Sequence, residues 1–214
     1  MAITTIFFDL DNTLYSSDNG IWATIGFRIN DYMQERLNIP PDEIPTLRRT
    51  YYRNYGTTLR GLQIHYDIDA EDFLAYVHDL PIDLLIQPDP ELIEMLFSLP
   101  QRKFIFTNSN IEYAERVLSK LDISDCFEKI IDIRAMNFQC KPNPQAYHIA
   151  LKLAGEIEPR SCMYLDDSIR NLSPALEMGF YTILIGTTDI HSEACHSIKR
   201  PHDLRQILPA LWAF

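Results

Sequence analysis

The apolar positions of this chain fall into two rhythms. A short run over residues 3–8, with only Thr4 and Thr5 inside it, stops abruptly at two carboxylates, Asp9 and Asp11. Runs of this length and β-branched content read as a strand buried on both faces. After a turn-rich stretch at 16–20 the rhythm changes. Ile21, Ile25, Ile29, Met33 and Leu37 recur every fourth residue and predict one helix, ending before Pro40 and Pro41. A second helix starts near Asp42 or Thr46 and runs to Gly56. Thr57 or Thr58 can cap a third around Leu59, Leu62 and Ile64, and Asp69 opens a fourth with Phe73, Leu74 and Val77. No strand is expected between residues 21 and 78.

From residue 88 onward strands and helices alternate. Strands are predicted over 103–106, 129–132, 162–165 and 181–185, and helices over 90–97, 111–121, 144–154 and 171–178. Gly179 closes the last of these helices. A polar stretch at 187–197 precedes a final short helix over 204–211. Alternation of this kind predicts an α/β fold with a doubly wound, mainly parallel sheet. The helical stretch interrupts it after the first strand. Two domains are therefore expected: a discontinuous α/β core (1–15 and 87–214) and an inserted all-helical unit (16–86).

Composition narrows the field. The 214 residues are 46% hydrophobic and 11% aromatic, which suits a packed core rather than disorder. A net charge of -11 argues against binding a nucleic acid polymer or an anionic membrane surface. Cys126, Cys140, Cys162 and Cys195 are scattered without zinc spacing, and read as reduced thiols in a cytoplasmic protein. No signal peptide or membrane-spanning stretch is visible.

Three of the predicted strands end in polar residues: Asp9 and Asp11, Thr107 and Asn108, Asp166 and Asp167. Lys141 lies just before a further helix. Strand C-termini of a parallel sheet share one edge, where open α/β sheets bind ligands. Taken singly, each is unremarkable, since an Asp after a strand is often a helix cap. Together and in this order, Asp9-Leu10-Asp11-Asn12-Thr13, Thr107-Asn108, Lys141-Pro142 and Leu165-Asp166-Asp167 resemble the four motifs of the haloacid dehalogenase (HAD) superfamily. The resemblance covers the whole chain. The helical insertion is similar to that superfamily's C1 cap. Tyr55 to Leu62 and Phe73 to Asp79 resemble the pyrimidine 5′-nucleotidase-like subfamily.

The resemblance implies a Mg²⁺-dependent phosphomonoesterase acting through an aspartyl-phosphate. Asp9 would be the nucleophile. Mg²⁺ would be held by the Asp9 carboxylate, the Asp11 carbonyl and the Asp167 carboxylate, with Asp166 behind them or in place of Asp167. Asp11, its side chain free, would protonate the leaving group and then deprotonate water. Thr107 and the backbone at Asn108 would hold the phosphoryl group, and Lys141 would bridge Asp9 and a phosphate oxygen. An acid two residues after the nucleophile points to a phosphatase or phosphomutase rather than a dehalogenase. Residues from Tyr15 onward would form a mobile loop. Substrate candidates in the cap are Tyr51, Tyr52, Tyr55, Arg60, Gln63 and His65, although the tyrosines also read as cap core and Arg60 as a solvated charge. His78, His148 and His191 are read as surface or structural. The expected substrate is a small phosphomonoester, with a pyrimidine 5′-nucleotide favoured over a sugar phosphate. The expected assembly is a monomer or weak homodimer. A non-catalytic phospho-binding or signalling module is the distant alternative.

Overall fold

The computed structural model of the chain describes residues 2–156 and 158–213. Its centre is a six-stranded sheet made of β1 (Thr5–Phe8), β2 (Arg102–Phe106), β3 (Lys129–Ile131), β4 (Cys162–Asp166), β5 (Tyr181–Ile185) and β6 (His196–Ile198). The spatial order is β3-β2-β1-β4-β5-β6. Every neighbouring pair is parallel, so the described sheet has no antiparallel edge. The fold is thus α/β and doubly wound.

Alternation along β1 explains how both faces are covered. Ile6 and Phe8 point into one core, with Leu92, Met95 and Leu96 of α6 (Pro90–Ser98) and Val117 and Leu118 of α7 (Ile111–Lys120). Phe7 points the other way, into a core with Tyr147 of α8 (Pro144–Ala154), Leu172 of α9 (Ile169–Met178) and Phe180. There it stacks on Phe104 at 5.6 Å between ring centroids and meets Phe180 edge-on at 5.9 Å. Burying each such side chain stabilises the fold by about 1.5–3 kcal/mol.

Between β1 and α6 lie five helices: α1 (Ile21–Glu35), α2 (Ile44–Tyr55), α3 (Thr58–His65), α4 (Ala70–Val77) and the one-turn α5 (Ile82–Leu85). Their starts follow local chemistry. Thr57 Oγ1 accepts from the Arg60 N–H at 3.1 Å, and Asp69 Oδ1 from the Glu71 N–H at 2.8 Å. Two glycines permit close approaches. A Cβ on Gly61 would lie 2.2 Å from Tyr51 Cγ, so α2 and α3 pack ring against backbone. Gly56, at the end of α2 with φ +91°, brings its Cα against the Lys141 loop, where a Cβ would meet the Lys141 carbonyl oxygen at 2.6 Å.

The differences from the sequence reading are local. β6 lies in the polar stretch expected to be irregular. It is an edge strand with a single buried residue, Ile198, too short to show periodicity. The final helix is split into α10 (Leu204–Ile207) and a 3-10 turn (Pro209–Trp212), because Pro209 cannot continue the helical ladder. Leu211 is buried and Trp212 Nε1 donates to Ser98 Oγ at 2.9 Å, so the C-terminal segment docks on α6. Phe214 lies outside the described residues. All four cysteines are free thiols.

Candidate active site

Because β1 and β4 are neighbours and the strand order runs outward from them in both directions, their C-terminal ends flank the sheet's topological switch point. Asp9 leaves β1 there, almost fully buried, and its N–H donates to the Leu165 carbonyl at 2.9 Å. Lys141 is fully buried opposite it. Its Nζ donates to Asp9 Oδ1 at 2.7 Å, to the Phe106 carbonyl at 2.7 Å and to Tyr164 Oη at 2.9 Å, and it also reaches Asp166 Oδ2 at 3.1 Å. Burial pushes the Asp9 carboxyl well above the usual carboxylate range, and the Lys141 charge works against that rise. Thr13 Oγ1 stands 3.4 Å from Asp9 Oδ2.

Asn108 fixes the lysine loop. Its Oδ1 accepts from the Lys141 N–H at 2.9 Å and its Nδ2 donates to the Lys141 carbonyl at 3.1 Å. The reciprocal pair ties the end of β2 to the residue before Pro142. Thr107 is buried beside it, and its Oγ1 accepts from the Ser109 N–H at 3.0 Å.

β1 ends at Phe8, and Asn12 adopts a left-handed φ of 59°, so Asp11 sits in the turn after the strand. Its carboxylate is held by three hydroxyls. Tyr113 Oη donates to Oδ1 at 2.7 Å, Ser109 Oγ to Oδ2 at 2.9 Å, and Tyr15 Oη donates to Oδ1. Tyr15 is therefore buried within the site rather than the start of a mobile loop. Its hydroxyl also meets that of Tyr113 at 3.0 Å. His78 is buried against Tyr113, the rings stacked at 4.5 Å, so it lines the site instead of the surface. Tyr113 and Tyr164 carried no signal in the sequence, because an isolated Tyr within a helix or strand reads as packing, and Ser109 reads as an ordinary turn residue after β2.

The adjacent acids at the end of β4 separate cleanly. Asp166 is fully buried and saturated with donors: Tyr164 Oη, Lys141 Nζ, the Ser168 N–H at 2.8 Å and Asn171 Nδ2 at 3.1 Å. Asp167 stands at the rim, and Asn12 Nδ2 at 3.3 Å is its one described side-chain partner. The surrounding protein, and then the neighbouring Asp166 charge, push its carboxyl up to about 6. Carboxylate oxygens of Asp9, Asp166 and Asp167 lie within 4.8 Å of one another. Three acids with one lysine leave negative charge uncompensated, and hard oxygen donors suit a divalent cation such as Mg²⁺. The residues present fit such an ion.

A cavity of about 600 Å³ opens above these groups. At the sheet end it is lined by Asp9, Asp11, Thr107, Asn108, Lys141 and Asp167, which the fold brings together from four separate segments. The helical walls come from Trp22, Ile25 and Ile29 of α1, Arg48 and Tyr52 of α2, and Phe73, Leu74 and Val77 of α4. Of the six substrate candidates in the helices, Tyr52 lines it, and Tyr51, Tyr55, Arg60, Gln63 and His65 are not among its described lining residues. Arg60 bonds to Gln63 at 3.4 Å, and Tyr55 Oη to His65 Nε2 at 3.0 Å, while His65 stacks on Tyr51 at 5.3 Å. Tyr55 and Arg60 border a separate, shallower cleft beside Pro142 and Arg170. The reason is helical phase. α3 turns Thr58, Leu59 and Leu62 inward, so residues 60 and 63 fall on another side.

Comparison with known proteins agrees with this geometry. A family model described as haloacid dehalogenase-like hydrolase matches residues 3–179. Phosphate metabolism protein 8 of Saccharomyces cerevisiae is 29% identical over 96% of this chain and 68% of its own length. Glyceraldehyde 3-phosphate phosphatase of Methanocaldococcus jannaschii is 25% identical over 86% of this chain and 85% of its own. Among solved structures, a HAD phosphatase from Thermococcus onnurineus superposes with a TM-score of 0.66 at 20% identity, covering 97% of this chain and 98% of that one. A magnesium-bound HAD hydrolase from Bacillus subtilis gives 0.66 at 15% identity, covering 98% and 100%. With the sheet order, the buried Asp9–Lys141 pair and a family match over most of its length, this chain belongs to the haloacid dehalogenase-like hydrolases.

Proposed function

We propose that the protein is a Mg²⁺-dependent phosphomonoesterase working through an aspartyl-phosphate on a small phosphorylated metabolite, with a pyrimidine 5′-nucleotide as the favoured substrate. The observation that carries this reading is the buried Lys141 ammonium bridging Asp9 and Asp166 beside a separately held Asp11. A buried lysine with two carboxylates holds Asp9 in place and offers positive charge to an incoming phosphate. Asp9, Asp167 and the Asp11 carbonyl would hold Mg²⁺, and Asp166 would anchor Lys141. When bound, the ion screens the phosphate's charge and polarises its oxygens.

In the first step an Asp9 carboxylate oxygen attacks phosphorus. The ester P–O bond breaks, its electron pair leaves on the ester oxygen, and Asp11 supplies the proton that oxygen needs. In the second step Asp11 takes a proton from water, which attacks the aspartyl-phosphate. Inorganic phosphate leaves and Asp9 is restored. Tyr15, Tyr113 and Ser109 fix the orientation of Asp11, and Thr107 with the Asn108 N–H would hold the transferring group. We assign residues 16–86 as a cap over a core of 1–15 and 87–214, and the assembly as a monomer or weak homodimer. Among the described residues no helix is long and apolar enough to cross a membrane. A sugar-phosphate phosphatase is the second reading, favoured by the relative named for glyceraldehyde 3-phosphate.

Phosphate release measured across nucleotides and sugar phosphates, with and without Mg²⁺, tests the reading. UMP or CMP turnover is expected, falling by about a thousandfold or more in Asp9→Asn. Full turnover in that variant, or after exhaustive chelation, overturns the mechanism.

A further inference from the structure

A second group of metal-ligating side chains lies where the chain passes from α5 into α6. Asp89 and Glu91 stand at the start of α6, and His202 faces them from the 3-10 turn Pro201–Asp203. One ligand atom from each of the three lies within 4.8 Å of the other two. None of the three is among the cavity's described lining residues, and none belongs to the Asp9, Asp166 and Asp167 cluster.

His202 sets this group apart from an ordinary acidic surface. Its side chain is only 9% exposed, yet neither ring nitrogen has a hydrogen-bond partner among the described residues. Nε2 stands 3.1 Å from Glu91 Oε2 and Nδ1 3.6 Å from Asp89 Oδ2, and neither approach is directed as a hydrogen bond. A buried imidazole left in that state is costly. Coordination of an ion removes the cost and fits the spacing. Two ligands about 2.0–2.2 Å from one ion, at angles from octahedral to tetrahedral, lie about 2.8–3.6 Å apart, with the oxygen off the nitrogen's lone-pair axis.

The carboxylates are free to answer the imidazole. Asp89 uses Oδ1 as the cap of α6, accepting from the Glu91 N–H at 3.0 Å and the Leu92 N–H at 3.4 Å, which leaves Oδ2 toward His202. Glu91 is exposed, so an ion reaches the site from solvent and keeps waters of its own. Arg200 Nη1, 3.6 Å from Glu91 Oε2, competes with it, but both side chains are exposed and such a pair is weak. One imidazole with two carboxylates suits Zn²⁺ and its first-row neighbours better than Mg²⁺.

We propose that His202, Glu91 and Asp89 form a binding site for a divalent transition-metal ion such as Zn²⁺, separate from the catalytic acids. His202 Nε2 and one oxygen each of Glu91 and Asp89 hold the ion, and water completes its sphere. The ion ties the segment entering α6 to the C-terminal turn, where the chain returns from α1–α5 toward the sheet. The site does not depend on what the catalytic cavity hydrolyses.

Calorimetric titration of the full chain with Zn²⁺, in saturating Mg²⁺, tests this. One Zn²⁺ per chain is expected. His202→Gln weakens its binding about tenfold or more. Asp89→Asn, which keeps a capping side chain, weakens it as well. Asp167→Asn leaves it unchanged. Arg200→Ser removes the competing cation and tightens binding, a gain that no folding defect imitates. Zn²⁺ also raises the melting temperature of wild type and not that of His202→Gln. Absence of Zn²⁺ binding overturns the proposal. Binding that Asp167→Asn abolishes and His202→Gln leaves intact puts the ion on the catalytic acids and overturns it too. Equal Zn²⁺ affinity in His202→Gln, with a lower melting temperature, makes His202 only an ion-pair partner of the two carboxylates and equally removes the site.

Discussion

Single residues at this site are defined less by their own chemistry than by their partners. Asp166 and Asp167 are the same residue type in sequence, yet one is saturated by Tyr164, Lys141, Ser168 and Asn171 and the other is nearly bare. His78 shows the same dependence through its titration. Burial beneath α4 and against Tyr113 lowers its pKa to about 4; Asp11 pulls it upward and Arg116 downward. The unfolded chain therefore takes up a proton near pH 6.5 that the folded chain refuses. Stability from a neutral His78 is complete above pH 6.5 and lost as the pH falls toward 4, amounting to about 2–3 kcal/mol by pH 4.5. Urea denaturation of wild type and His78→Phe should show this as a gap between their pH dependences; parallel curves would refute it. The motif acids and Lys141 could be read from the sequence because strand ends are predictable and converge by topology. Tyr113 and Arg48 could not, because which side of a helix meets a cavity depends on packing from segments far away in the chain.

At the level of elements, the sequence read most truly where periodicity and punctuation agreed. β1, β4 and β5 are almost wholly buried and β2 is buried over its last three residues, and Thr57, Asp69 and Gly179 each sit at a helix end for a stated reason. The one-turn α5 and three-residue β6 span little more than one period and left no pattern. Packing between elements was hidden as well, and Gly61 is the clearest case. Within a helix, Gly→Ala ordinarily stabilises by up to about 1 kcal/mol. Here the added methyl would lie 2.2 Å from Tyr51 Cγ, so α2 and α3 must part. Gly61→Ala is expected to destabilise by about 1–3 kcal/mol, seen as a lower urea midpoint. A gain in stability would show that the helices yield freely.

For the molecule as a whole, the carboxylate cluster links folding to metal. An ion that binds the folded chain and not the unfolded one adds about 2.7 kcal/mol at a hundred times its dissociation constant. Thermal denaturation should accordingly shift upward by several degrees when Mg²⁺ replaces chelator. Asp167→Asn should lack the shift and, without metal, melt above wild type, because one of the crowded charges is gone. A wild-type melting point indifferent to Mg²⁺ would remove the cation from the site. The approach of Gly56 to the Lys141 carbonyl bears on motion at this same scale. Around it, Cys140 Sγ donates to the Tyr55 carbonyl at 3.1 Å, and Arg170 holds the Tyr52 and Arg53 carbonyls. The end of α2 thus presses on the main chain of the lysine that grips Asp9. Lifting the helices from the sheet would have to peel this seam open, so the lysine's backbone would register whether the chamber is shut before any substrate is touched.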